Sequence, residues 1–298
     1  MPARTSLSPV TTGWLMLSPA LCVYLLFAVY PMFDVLVMSF SSWNGLTADS
    51  AFAGWDNYRW VTTQDPVFWT ALWNTIAWTL LALIVPNLLA FALALSLNQR
   101  LPGVAPLQVI FYLPVIIASI AVATIWKWMY DPFFGLLNAT LTGAGLSGWI
   151  LDWLGDRQVA LWSVFAAHVW QSVGFAMVLF LAGLQSVSPT LIEAARIDGA
   201  GRWGVFRHVT LHALRPSIVV VVALSLINSL KAFDIVYGMT GGGPAQSTQM
   251  LAMWAYSQAM QLGNFGRGAA ISVILLGITL VIVIPYLRWM LKTEEPAR

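Results

Sequence analysis

Few residues in this chain have the types and spacing for chemistry. His208 and His212 stand four apart, the interval that puts two imidazoles on one turn of a helix for zinc. Val209, Thr210 and Leu211 lie between them, so the glutamate of an H-E-x-x-H site is missing and no third ligand is near. The pair reads better as part of a solvated helix face. The lysines are Lys127, Lys231 and Lys292; none follows a glycine, so there is no phosphate loop with which to hold ATP. No G-x-S-x-G elbow occurs, and the single cysteine, Cys22, can make neither an intrachain disulfide nor a cysteine zinc site. The expectation is no catalytic residue and no metal site.

What remains is a polar patch. Asn228, Lys231 and Asp234 recur every three residues in an otherwise apolar stretch, which places them on one face if the stretch is a single helix. An ionisable group at bilayer depth costs about 2.5–3.5 kcal/mol on insertion scales, so it normally faces a partner or a wet cavity. Either Lys231 and Asp234 neutralise each other near the outer interface, or the three line the path of a polar solute. Asn74, Asn87, Gln171 and Ser172 read as hydrogen-bonding glue between helices.

The elements that hold these residues follow from composition. Of 298 residues 59% are hydrophobic and only 9% charged, and the mean hydropathy is +0.77. Those values exclude a soluble domain, a disordered chain and a coiled coil, and a net charge of +2 is too weak for a nucleic-acid surface. A spanning helix needs roughly 20 apolar residues. Six stretches qualify, at about 13–38, 69–95, 107–128, 159–184, 216–236 and 268–291. Alternating strands of a β-barrel are absent, so an all-α, six-helix membrane protein with a single domain over 1–298 is expected. The first stretch is far longer than the apolar core of a signal peptide and reads as a retained helix.

With the N-terminus inside, Arg4, Arg100, Arg196, Arg202, Arg207, Arg215, Arg288, Lys292 and Arg298 lie inside, against Arg59, Lys127, Arg157 and Arg267 outside. Nine against four places both ends in the cytosol. Asp49 and five further aspartates then fall outside. The apolar stretch 247–260 is too short to span and suits a re-entrant or interfacial helix. Trp43, Trp55, Trp60, Trp126, Trp128, Trp149 and Trp153 sit near outer ends, as an aromatic interface belt would.

The longest inner loop, 185–215, reads as two short helices. Ser188 suits an N-cap, Pro189 the first helical position, and Asp198-Gly199 a stop where glycine takes φ > 0. Val205, Phe206 and Val209 form one side of the second helix. The first could be a small-faced knob for a partner or an ordinary connector.

Glu193-Ala194-Ala195, Asp198-Gly199-Ala200, Trp203, Phe206 and Pro216 resemble the EAA signature of binding-protein-dependent ABC importer permeases. Leu113-Pro114, the run Trp126–Met129, Gly135, Asn138, Leu181–Gln185, Phe233-Asp234, Thr240–Pro244, Phe265-Gly266 and Gly268 are similar to the carbohydrate (maltose/glycerol-3-phosphate-like) subfamily. The resemblance spans about 73–284. One departure is His212, where the family usually has proline.

The resemblance implies the type I importer permease fold. It implies a bacterial inner-membrane subunit that forms half of a sugar path and couples through Glu193, Ala194, Ala195, Asp198, Gly199, Ala200, Phe206 and Pro216 to an ATPase. It further implies a second, non-identical permease subunit, two cytosolic ATPases that hold ATP and Mg, and an extracytoplasmic solute-binding protein. This chain itself would bind no cofactor. Two other functions compete. An ion-coupled transporter would need coupling carboxylates within the spans, where only Asp234 is a candidate. A membrane enzyme would need a nucleophile, base or metal cluster, and none is evident.

Overall fold

In a computed structural model, residues 8–46, 51–99 and 102–294 are described. Arg4, Asp49, Arg100 and Arg298, which enter the charge argument, lie outside the described residues. Regular structure among the described residues is helical, apart from one isolated antiparallel bridge between Ser41 and Phe52. The chain packs as two units, 1–64 with 255–274 and 65–254 with 275–298.

In the first unit, Pro9–Tyr24, a π turn at Leu25–Val29 and Tyr30–Met38 run on as helix α1. Ser8 caps it by accepting from the Thr11 amide at 3.2 Å. A short helix, α2 (Asp56–Thr63), is tied back by Asn57 Nδ2, which donates to the Ser39 and Ser41 carbonyls at 2.9 and 2.8 Å. The Arg267 guanidinium lies 3.8 Å from the centre of the Trp60 ring.

The second unit opens with α3 (Pro66–Leu97), 32 residues long. Its N-cap Asp65 accepts from the Val67 and Phe68 amides through Oδ1 and from Trp254 Nε1 at 2.6 Å through Oδ2. Then follow α4 (Val104–Ile116), α5 (Ser119–Met129), α6 (Leu136–Gly143) and the 26-residue α7 (Ala160–Gln185). The connecting helices are α8 (Pro189–Ile197) and α9, which is Arg202–Val205, a π turn at Phe206–Thr210 and Leu211–Ala213. After them in chain order come α10 (Arg215–Leu230), α11 (Asp234–Thr240), α12 (Leu251–Tyr256) with a π turn at Ser257–Gln261, and α13 (Phe265–Glu294), of which residues 255–274 belong to the first unit.

Four of these helices are long and apolar enough to cross a membrane, and six spans result if two bent pairs each count as one. Here the structure differs from the straight helices read from sequence. The 107–128 stretch is α4 and α5, bent by 101°. Ile117 and Ala118 are extended between them, and Pro114 lies three residues earlier, inside α4. The 216–236 stretch stops at Leu230. Ala232 N closes a turn on Ser229 O at 3.2 Å, and α11 starts afresh at Asp234. At about 1.5 Å per residue, the 16 residues of α10 fall short of a hydrocarbon core of about 30 Å.

Two apolar clusters hold this unit. One packs Trp78 and Ala82 of α3 with Val122 and Ala123 of α5, Val164 and Phe165 of α7, and Ile235, Val236 and Met239 of α11. The other packs Ala90, Ala94 and Leu97 of α3 with Val173, Met177, Phe180 and Leu184 of α7, and Leu214 and Val221 beside and within α10. Small alanines let α3 and α7 approach closely, as membrane interfaces require.

Candidate functional site

The EAA residues sit on α8, nine residues of exposed helix begun by Pro189. Ser188 occupies the N-cap position, but its hydroxyl pairs with Thr190 Oγ1 at 2.6 Å instead of capping an amide. The other end is closed by backbone alone. Gly199 N donates to Arg196 O at 3.1 Å and Ala200 N to Ala195 O at 2.9 Å, the two bonds of a Schellman motif, with Gly199 at φ +85°. Asp198-Gly199-Ala200 is therefore the structural end of the Glu193-Ala194-Ala195 helix. Glu193 and Ala194 are exposed, and so are Leu191, Ile197 and Trp203, with Ile197 86% accessible.

Helix α9 ties this knob to the bundle. Val205 is buried, and Phe206 stacks on Trp203 at 5.4 Å and meets Phe91 of α3 at 6.2 Å, which in turn touches Phe180 of α7. Leu214 is wholly buried. Pro216 stands in the first turn of α10, where its missing amide costs nothing, and α9 and α10 meet at 61°. His208 Nδ1 lies 3.1 Å from the Gly204 carbonyl of its own helix. Among the described residues, no three His, Cys, Asp or Glu side chains gather in a metal-binding group.

The polar patch lies elsewhere in the same unit, in the wall of a cavity of about 570 Å³. Both helix breaks face it. Val115 and Ser119 come from the α4–α5 bend, and Lys231, Ala232, Phe233 and Asp234 from the α10–α11 break. Asn228, Lys231 and Asp234 all line it, although not as one helical face, because the helix ends between the first and second of them. The three are exposed, and Lys231 and Asp234 form no ion pair among the described residues. Irregular backbone of this kind is tolerated in a membrane where it borders a wet cavity.

The cavity also gathers residues that sequence reasoning assigned only to glue or passed over. Asn87 and Ser225 exchange two hydrogen bonds across α3 and α10, at 3.1 and 3.2 Å, and both line the wall. Gln171 bonds the α4–α5 break and Ser172 stands beside it. His168 was missed altogether. It packs on Trp78 at 5.1 Å and borders the cavity, and a lone histidine inside the apolar 159–184 stretch was the signal that could have found it. Asn74 instead serves a loop, donating to the Ser247 and Gln249 carbonyls at 2.8 and 2.9 Å.

Set beside known proteins, the chain is 37% identical to a probable ABC transporter permease protein of Pyrococcus horikoshii, over 94% of this chain and 96% of that one. It is 34% identical to the trehalose/maltose transport system permease protein MalF of Thermococcus litoralis, over 93% and 92%. Its fold matches a chain of a bacterial alginate ABC transporter, solved with its alginate pentasaccharide-bound periplasmic protein. The TM-score there is 0.82 at 24% identity, over 97% of this chain and 98% of that one. Residues 104–291 match the family of binding-protein-dependent transport system inner membrane components. The chain belongs to that family: it is a multi-pass inner-membrane permease subunit of an ABC importer, whose ATP is hydrolysed by separate ATPase subunits.

Proposed function

We propose that the solute is a sugar or sugar-like molecule and that Asn228, Lys231 and Asp234 line this subunit's half of its path. The observation that carries the reading is the cavity wall. Amides, hydroxyls, an ammonium and a carboxylate converge there beside the rings of Phe175 and Phe233. A polyhydroxylated ring needs such a mixture of donors, acceptors and apolar surface. The relative named for trehalose and maltose supports the same solute class.

On this reading the Glu193–Ala200 knob, with Phe206 and Pro216 behind it, meets a cytosolic ATPase and moves with it as a rigid body. ATP and Mg belong to that partner. Two ATPases, a second and non-identical permease subunit and an extracytoplasmic solute-binding protein complete the assembly. Both termini face the cytosol, as the excess of inner arginines and lysines favours.

Uptake of a sugar panel by the reconstituted complex tests the path. Asn228→Ala, Lys231→Ala and Asp234→Ala should each lower uptake at least about tenfold while the complex still assembles, as loss of a paired polar contact does. If the two charges only neutralise each other, replacing both with alanine restores transport. Full uptake by that double variant would remove Lys231 and Asp234 from the path.

A further inference from the structure

Helix α7 touches the α4–α5 bend through two residues one turn apart. At Gly174 the α4 backbone comes so close that a Cβ would fall on the Phe111 carbonyl oxygen and 2.8 Å from Tyr112 Cα. One turn earlier, Gln171 Nε2 donates to the Ile117 carbonyl at 3.0 Å and to Ser119 Oγ at 3.3 Å. Ile117 is extended, with ψ 130°, and the amides of Ala121 and Val122 both bond Ala118 O. No helical amide thus serves the Ile117 carbonyl; the side-chain amide from α7 does. Pro114 does not set the break point, because α4 runs two residues past it.

We propose that Gln171 is a positioning residue for transport. Its amide substitutes for the missing helical donor and holds the third span in the broken form, which puts Val115 and Ser119 into the cavity wall. The bend and α7 then move as one body, so the wall keeps its shape while the subunit changes state. The uptake arm of the test rests on the transport reading above; the distance arm does not.

In the assembled importer, with Cys22→Ser, spin labels on Leu107→Cys and Trp128→Cys report the bend, both sites being exposed. The bent pair holds them closer than the about 32 Å that a straight helix would span between them. Gln171→Met, of similar length but with no donor, should add a longer distance and cut maximal uptake at least tenfold. KM and ATPase co-purification should stay within twofold. Gln171→Asn is one methylene too short to reach Ile117 and should behave alike, which covers the case in which the Met variant does not accumulate. Ser119→Ala, which removes only the longer contact, should stay within twofold of the parent.

An unchanged short distance in both Gln171 variants would show that the bend is encoded by α4 and α5 alone and overturn the proposal. A longer distance with normal uptake would overturn the transport role. Lost uptake at an unchanged distance would make Gln171 a solute contact and equally overturn it. Failure of both variants to reach the membrane would reduce Gln171 to a folding role. If the parent complex takes up no sugar, the path reading fails, yet the distances still judge Gln171.

Discussion

At Gly199 one residue decides the angle between two helices. Its φ of +85° lies where a side chain is strained, yet nothing stands within 4 Å of a Cβ built there. A substitution is therefore punished by backbone conformation and not by packing. Gly199→Val should cost about 1–3 kcal/mol locally or redirect the chain. Membrane insertion should stay near normal, and uptake and ATPase co-purification should fall at least tenfold; uptake assays and pull-down would check this. Glu193→Ala should be milder, because an exposed charge contributes little by itself. Normal uptake by Gly199→Val would make the 185–215 loop a mere connector. This turn was legible because Asp-Gly after alanines permits few endings. His168 was passed over, although a lone histidine inside an apolar span is itself a sign of a partner or a cavity.

Among the elements, the long helices could be read from sequence and the broken ones could not. Apolar length fixes α7 to within one residue and α3 to within three at either end, since nothing in either stretch competes with the helix except Pro86, which α3 absorbs. Leu230, Lys231 and Ala232 are all good helix formers, so local propensity predicts no break there. The break is a tertiary outcome that turns an ammonium and a carboxylate toward a cavity. The π turns at Leu25–Val29, Phe206–Thr210 and Ser257–Gln261 leave no mark in the spacing either.

Loop anchoring is likewise an element-scale matter. Asn74, 7% exposed, holds two carbonyls of the 241–250 connection, and Thr75 Oγ1 accepts from the Leu251 amide at 3.0 Å. Asn74→Leu strips both carbonyls of their donor, a loss of about 1–3 kcal/mol. The purified complex should melt several degrees lower, and limited proteolysis should nick 241–250 first. An unchanged melting temperature would show that the loop holds itself.

For the whole molecule, composition settled the class before any motif was read, because a chain only 9% charged cannot clothe a soluble surface. Which face of each helix meets lipid, a partner subunit or the cavity was beyond a single sequence, since all three tolerate the same apolar residues. Orientation rests on the arginine and lysine bias. With Cys22→Ser as background, Arg4→Cys and Arg298→Cys should resist an impermeant thiol reagent added outside intact cells and react after lysis. Labelling from outside at either position would invert the topology.

The two breaks in the cavity wall also have a spectroscopic consequence. Where a helical ladder is interrupted beside water, nearby amides open to solvent by small local fluctuations, whereas lipid-embedded turns stay protected. Deuterium uptake should therefore be fast at 115–119 and 230–234 and slow in α3 and α7. Solute that fills the cavity should slow both segments together. If the proposed path is the solute's, the two breaks act together as an occupancy gauge, readable by mass spectrometry without a label, and slowing of only one segment would mean that the solute rests against a single break.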